Sequence, residues 1–244
     1  MARLTVPGYG GKCCVGGRTY YYKKAEPGDA ADIAEIYRQT KIDKGNYMDR
    51  LDPLSDKSFG RKGGMFVVLD KKGIEAEIAG EHNFWAIFRT EDGNAAGSFW
   101  FSLENESYAG LKYEHMPRTV YPREIIVSRE YGGKNLAKVM YYTIAGAMLN
   151  AGYTMGAADL YKVVGYDAGN GRVDLDMVNM PSRRSIEAIG AEFAEPLPVK
   201  EIVLDGITVY IEPQMYLFYY DRIRKGCEEF FADNDITVTE GETT

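Results

Sequence analysis

Glu124-Ile125-Ile126-Val127-Ser128-Arg129-Glu130-Tyr131-Gly132-Gly133-Lys134-Asn135-Leu136-Ala137 passes from a β-branched run, through a glycine pair, into a helical pattern. The run that starts at Tyr121 reads as a strand ending near Val127. Beyond the glycines, Leu136, Val139, Met140, Thr143, Ile144, Ala147 and Met148 recur at i, i+3/4 and i+7/8, which predicts a helix with one buried face, ended by Asn150 and Gly152. A strand that enters a helix through small residues leaves backbone N–H groups unpaired at the helix start. Those donors and the helix dipole suit a phosphate or pyrophosphate. Gly132 and Gly133 allow close backbone approach, Asn135 tolerates a left-handed conformation, and Lys134 adds positive charge. The plain alternative is a turn that binds nothing.

Working outward, Phe84 to Thr90, the turn Glu91-Asp92-Gly93-Asn94 and Ala95 to Leu103 read as a hairpin, because Asp-Gly supplies the positive-φ turn residues. Residues 18–24 form a first strand. Pro27-Gly28-Asp29 then opens a helix with Asp29 as N-cap, Asp32 in the first turn and Ile33, Ile36, Tyr37 and Thr40 on its buried stripe. The polar stretch 41–64 is helix or loop, 65–69 a short strand or helix end, and 73–79 weakly helical. Residues 1–17 read as an irregular glycine-rich arm. Gly10-Gly11-Lys12-Cys13 is not a phosphate loop, because Val6 stands where its first glycine belongs and no Ser or Thr follows Lys12. Downstream, 153–171 reads as an insertion, since Gly165, Gly169 and Gly171 hold regular structure poorly. Then come a strand at 172–178, a short helix at 182–189 ended by Gly190, a hairpin over 199–212 turning at Asp205-Gly206, and 215–219 extending the sheet. The end, 233–244, carries four acids and no base and reads as a frayed tail.

The chain has 244 residues, 29 Lys+Arg against 36 Asp+Glu, hence a charge of −7. With 45% apolar and 27% charged residues it has globular composition, which excludes global disorder and a collagen repeat. The acidic balance disfavours nucleic acid as a partner. Residues 139–158 are uncharged over a membrane-spanning length, but Asn150, Gly152 and Gly156 make a buried helix followed by a loop the better reading. The N-terminus lacks the apolar core of a signal peptide. Cys13, Cys14 and Cys227 are odd in number and two are adjacent, which suits a reduced cytoplasmic setting. His82 and His115 stand apart from any second ligand, so no metal site is expected. Trp85 and Trp100 read as packing, His115 as a solvated loop side chain, and Cys13-Cys14 as inert thiols without a base.

Taken in order, these segments resemble the GNAT superfamily, the acyl-coenzyme A-dependent N-acetyltransferases, over roughly residues 18–220. The resemblance rests on Val127, then 131–137, then Asn179-Met180-Pro181-Ser182, then Gly190-Ala191, with the hairpin at 91–97 matching the second and third strands. Gly132 stands at a usual Arg or Gln, Asn135 at a usual Gly and Ala191 at a usual Phe. Ile186 stands where many members carry the Tyr that protonates the departing thiolate. The resemblance implies an α/β (α+β) fold, a mixed and mostly antiparallel central sheet with helices on both faces. It implies one domain over 18–232, with the arm 1–17 and the acidic tail 233–244 outside it. It implies an acyl-CoA co-substrate and no metal. Ile126, Val127, Gly132, Gly133, Lys134, Asn135, Leu136, Ala137, Asn179 and Ser182 would hold that co-substrate, and the Val127 N–H would polarise the thioester carbonyl. Glu124 is the candidate general base; its plainer reading is a surface pair with Arg123 or Lys112. Ser182 equally suits a helix cap. The implied reaction moves an acetyl or short acyl group directly to a primary amine on a small molecule or peptide, with a homodimer permitted. Alternatives are a long-chain N-acyl amino acid synthase-like transferase, and a silent acyl-CoA sensor.

Overall fold

The structure, a computed structural model, describes residues 4–103 and 108–241; parts of the expected arm (1–3) and tail (242–244) lie outside the described residues. In chain order the elements are β1 (Gly10–Val15), β2 (Arg18–Lys24), α1 (Ala30–Thr40), α2 (Tyr47–Leu51), α3 (Phe59–Lys62), α4 (Lys71–Ala79), β3 (Asn83–Thr90), β4 (Ala95–Ser102), β5 (Thr119–Val127) and α5 (Leu136–Asn150). There follow β6 (Met155–Asp167), β7 (Arg172–Val178), α6 (Met180–Glu187), β8 (Glu192–Pro196), β9 (Lys200–Leu204), β10 (Ile207–Tyr219), α7 (Tyr220–Ala232) and β11 (Thr237–Glu240).

The strands form one sheet in the order β11-β1-β2-β3-β4-β5-β6-β10-β8, with β7 beside β6 and β9 beside the first half of β10. The described ladders are antiparallel except β5–β6. This is the expected mixed, mostly antiparallel sheet. One face packs against α5 and α7 through Phe84, Phe88, Phe99, Val139, Ile144 and Ile223. The other packs against α1 and α4 through Ile33, Ile36, Tyr37, Ile74, Trp85 and Trp100. Farther along that second face, Leu51, Phe59 and Phe66 cover the distal parts of β6, β7 and β10.

All seven residues of the predicted α5 stripe are buried, and so are Ala145 and Gly146, because α7 covers the flank that the stripe leaves open. Among the described residues no helix is long and apolar enough to cross a membrane. The hairpin turns at Gly93 (φ 81°), and Asp205 and Gly206 (φ 48° and 88°) make the second tight turn.

Three local expectations are corrected and a fourth is refined. The arm holds β1, because Cys13 and Val15 bury their side chains while its backbone pairs with β2 and β11. The supposed insertion at 153–171 is mostly β6, a 13-residue strand; only the turn after Asp167 is irregular, and the pairing of β6 with β7 and β10 outweighs the weak strand preference of Gly165. The tail carries β11, anchored by Arg224 against Glu240 at 2.7 Å. Asp29 stands at the N-cap position of α1 as expected, but its side chain makes no capping bond there; it closes the turn before the helix, accepting from the Glu26 N–H at 2.9 Å and pairing with Arg89 at 2.8 Å.

Candidate active site

β5 and β6 are parallel neighbours only at Thr119–Met155 and Val120–Gly156; beyond that point the two strands separate. The branch has a local cause. Pro122 has no N–H to donate, and Gly156 lets the chains touch there, since a Cβ on Gly156 would lie 3.3 Å from the Pro122 ring. From residue 121 to 127, β5 keeps β4 on one side and has no ladder partner on the other. Ser128 donates its N–H to the Ala96 carbonyl of β4 at 2.9 Å. Successive amides along an extended strand point to opposite sides. The Val127 N–H therefore faces the split.

The chain leaves β5 through the predicted turn. Gly133 and Asn135 are left-handed, at φ 73° and 64°. Backbone hydrogen bonds reach the amides of Tyr131, Lys138 and Val139, so those of 132–137 have no backbone acceptor among the described residues. They lead into α5, whose first turn carries no acid that would compete with an anion. Gln39 ties α1 to this corner, its Oε1 accepting from the Ser128 hydroxyl at 3.1 Å and the Arg129 N–H at 3.3 Å.

Glu124 sits beside Trp100 of β4 and faces α1, where the Tyr37 hydroxyl donates to its Oε2. Burial pushes its carboxyl up to about 7, while the Tyr37 hydrogen bond and the Arg123 charge pull the other way. The surface pairing is not what holds it. Lys112 reaches Glu195 at 2.9 Å, and Arg123 lies over the Trp100 ring, 5.2 Å from its centroid. Trp85 and Trp100 stack at 4.9 Å beneath Tyr37.

The segment 41–66 roofs the split on this face. Met65 bonds the Thr40 carbonyl at 3.1 Å, and Gly63 lies so close to Asn179 that a Cβ there would be 2.7 Å from its Oδ1. Asn179 in turn donates its N–H to the Tyr161 carbonyl of β6 at 3.3 Å. Tyr161 is near enough to Glu124 for that charge to help burial raise its own pKa.

The predicted residues thus fall into two groups. Glu124, Ile126, Val127 and the turn 132–137 lie along one strand and its exit. Asn179 and Ser182 belong to the opposite wall, where the Asn179 side chain caps α6 by accepting from the Ser182 N–H at 3.2 Å. Their described hydrogen bonds do not reach the turn. Ile186 is 4% exposed and packs in the core, so no acid arises at that position. His115 is exposed, 3.6 Å from Glu114. Sequence reasoning missed Tyr37, Gln39, Tyr161 and the roof. Tyr37 was visible only as a polar tip on an apolar stripe, and Pro122 was an unused signal inside a strand.

No protein-family model and no curated protein matches the sequence. Solved structures do match. RimJ from Mycobacterium smegmatis, in complex with CoA-disulfide, is similar over 94% of this chain and 96% of its own, with a TM-score of 0.56 and 12% identity. A protein assigned to the GNAT family of acetyltransferases from Desulfovibrio desulfuricans gives a TM-score of 0.52 and 13% identity over 82% of this chain and 99% of its own. A chimera of spermidine N-acetyltransferase SpeG from Vibrio cholerae and hSSAT gives 0.50 and 12% over 84% and 98%. At such identities the likeness is one of fold, and the chain has the GNAT fold.

Proposed function

We propose that this chain is an acyl-CoA-dependent N-acyltransferase, moving an acetyl or short acyl group to a primary amine in a ternary complex. The observation that carries the reading is the split itself. It has the Val127 N–H facing it, an amide-lined turn at the exit of β5 and a carboxylate of raised pKa on the same strand. RimJ, similar in fold over nearly the whole of both chains, is solved in complex with a CoA disulfide, which supports this reading. Here the amides of 132–137, with Lys134 beside them, would bind the diphosphate, and the split would take the pantetheine arm.

Chemically, the Val127 N–H donates to the thioester carbonyl oxygen and stabilises the negative charge that develops there. Glu124, as carboxylate, takes the proton that the amine loses as the C–N bond forms. The C–S bond then breaks. With Ile186 in the core, the thiolate, whose conjugate acid has a pKa of about 8.5, takes its proton from solvent. Cys13 and Cys227, free and pushed up to about 12 by burial, suit a reducing compartment such as the cytoplasm.

The buried Ile186 also favours a second reading, an acyl-CoA-binding domain without turnover. One experiment separates the two. Thermal midpoints with a panel of acyl-CoA species are followed by thiol release on an amine panel. A raised midpoint with turnover supports the enzyme, a raised midpoint with no turnover supports the silent domain, and no shift with any species contradicts both.

A further inference from the structure

We infer that the roofed face of the split holds an oxyanion site built from Arg50 and Arg129, and that it takes the carboxylate of an amino-acid-type acceptor; this rests on the acyltransferase reading above. Arg50, on α2, is only 9% exposed. Its Nη1 donates to the Lys57 carbonyl at 3.0 Å and its Nη2 to that of Gly63, while its buried Nε has no hydrogen-bond partner. Of the carboxylates near it in sequence, Asp49 pairs with Lys57, Asp52 accepts from the Leu54 N–H at 2.9 Å, and Asp56 pairs with Arg61. Among the described residues Arg50 has no ion pair. Arg129, at the exit of β5, has none either, and its neighbour Glu130 faces Arg18 at 4.0 Å.

These two cations belong to one corner. Gln39 holds the Arg129 backbone, the adjoining Thr40 holds Met65, and Arg50 packs against Gly64 so tightly that no Cβ fits there. Their proximity is also felt electrostatically: burial and the Arg129 charge together lower the pKa of Arg50. A buried guanidinium without a counter-ion, next to a second cation, is costly in the free protein and would be relieved by an oxyanion. Arginine forks match carboxylate and phosphate oxygens in paired hydrogen bonds.

Two substrates could supply such oxygens, the acceptor through a carboxylate and the acyl carrier through its 3′-phosphate. Placement favours the acceptor. The carrier's amide cradle opens α5, which packs on one face of the sheet, whereas Arg50 belongs to the roof on the other, with α1 and Glu124. Through Gly63 and Asn179 the roof meets Tyr161, across the split from Glu124. An acceptor with its amine at Glu124 and its carboxylate at Arg129 and Arg50 spans this face.

The test uses full-length protein and Arg129→Gln, an exposed position that leaves the Arg50 clamp in place. Free amino acids are compared with their carboxamides, and acetyl-CoA with its 3′-dephospho form, by steady-state kinetics. Thermal midpoints with N-acetylated amino acids and their amides give a readout independent of turnover. We expect the wild type to favour the acids by 10-fold or more in kcat/KM. Arg129→Gln should remove most of that preference through the acceptor KM, leave the acetyl-CoA KM unchanged, and abolish the midpoint shift by N-acetylated acids. If the variant instead loses discrimination between the two carriers, the oxyanion is the carrier's phosphate and the assignment is overturned. If neither preference changes, Arg50 is only a staple for the roof and the proposal fails. Coenzyme A alone is the control. Should it bind while acids and amides are treated alike, only the oxyanion assignment falls; should it not bind, the transferase reading falls first.

Discussion

At pH 8 the Glu124 carboxylate is charged and half-buried, with the Tyr37 hydroxyl as its donor. Since burial raises its pKa to about 7, kcat/KM should rise about tenfold per pH unit below that value and level above it. Glu124→Gln should cut kcat by about 100-fold, flatten that limb and leave the acyl-CoA KM unchanged. Tyr37→Phe removes a donor that favours the charged form, so the limb should move to higher pH, with kcat on the plateau largely kept. Stability carries the opposite imprint. The folded pKa lies above the unfolded one, so the native state gains from a protonated Glu124 below about pH 4.5 and loses that gain as pH rises through 7. Glu124→Gln should therefore melt above wild type at pH 8, by on the order of 2 kcal/mol, with the gap closing near pH 4.5. Glu124 was legible as a candidate because it shares a strand with Val127. Its partner was not, because Tyr37 lies 87 positions away and only the packing of α1 on the sheet brings the two together.

At the scale of elements, the β5–turn–α5 unit was readable because every local signal agreed: a β-branched run, a glycine pair and a helical period. The left-handed Asn135 tests how the turn is held. Asn135→Gly keeps that backbone and should leave acyl-CoA affinity within a factor of 2–3. Asn135→Ala strains it by about 1 kcal/mol and should raise the acyl-CoA KM about fivefold; equal behaviour of the two variants would say that the turn conformation does not matter. What stayed hidden was pairing. β1 and β6 carry two glycines each, which weaken a strand, and β11 is only four residues long within an acidic stretch; all three are strands because neighbours supply their hydrogen bonds. The roof was hidden for the same reason. Residues 41–66 have little periodicity, and the segment is placed by Phe59 and Phe66 sinking into the distal sheet.

Over the whole molecule, the sheet runs unbroken from β11 to β8, and the β5–β6 branch is its one described opening between strands that start as neighbours. Helices cover both faces of the sheet around that opening, α5 and α7 on one, α1 with α4 and the segment 41–66 on the other. Closing the far edge, β11 pairs with β1 and Glu240 meets Arg224 on α7. The central claim is that the unpaired amides after β5 hold the carrier's diphosphate while Val127 meets its thioester. Amide chemical shifts during titration with acetyl-CoA test it most directly. The account predicts that Val127 and residues 132–137 shift together and saturate at one stoichiometric equivalent. Saturable binding that moves other amides and leaves these still, or no binding at all, would contradict it.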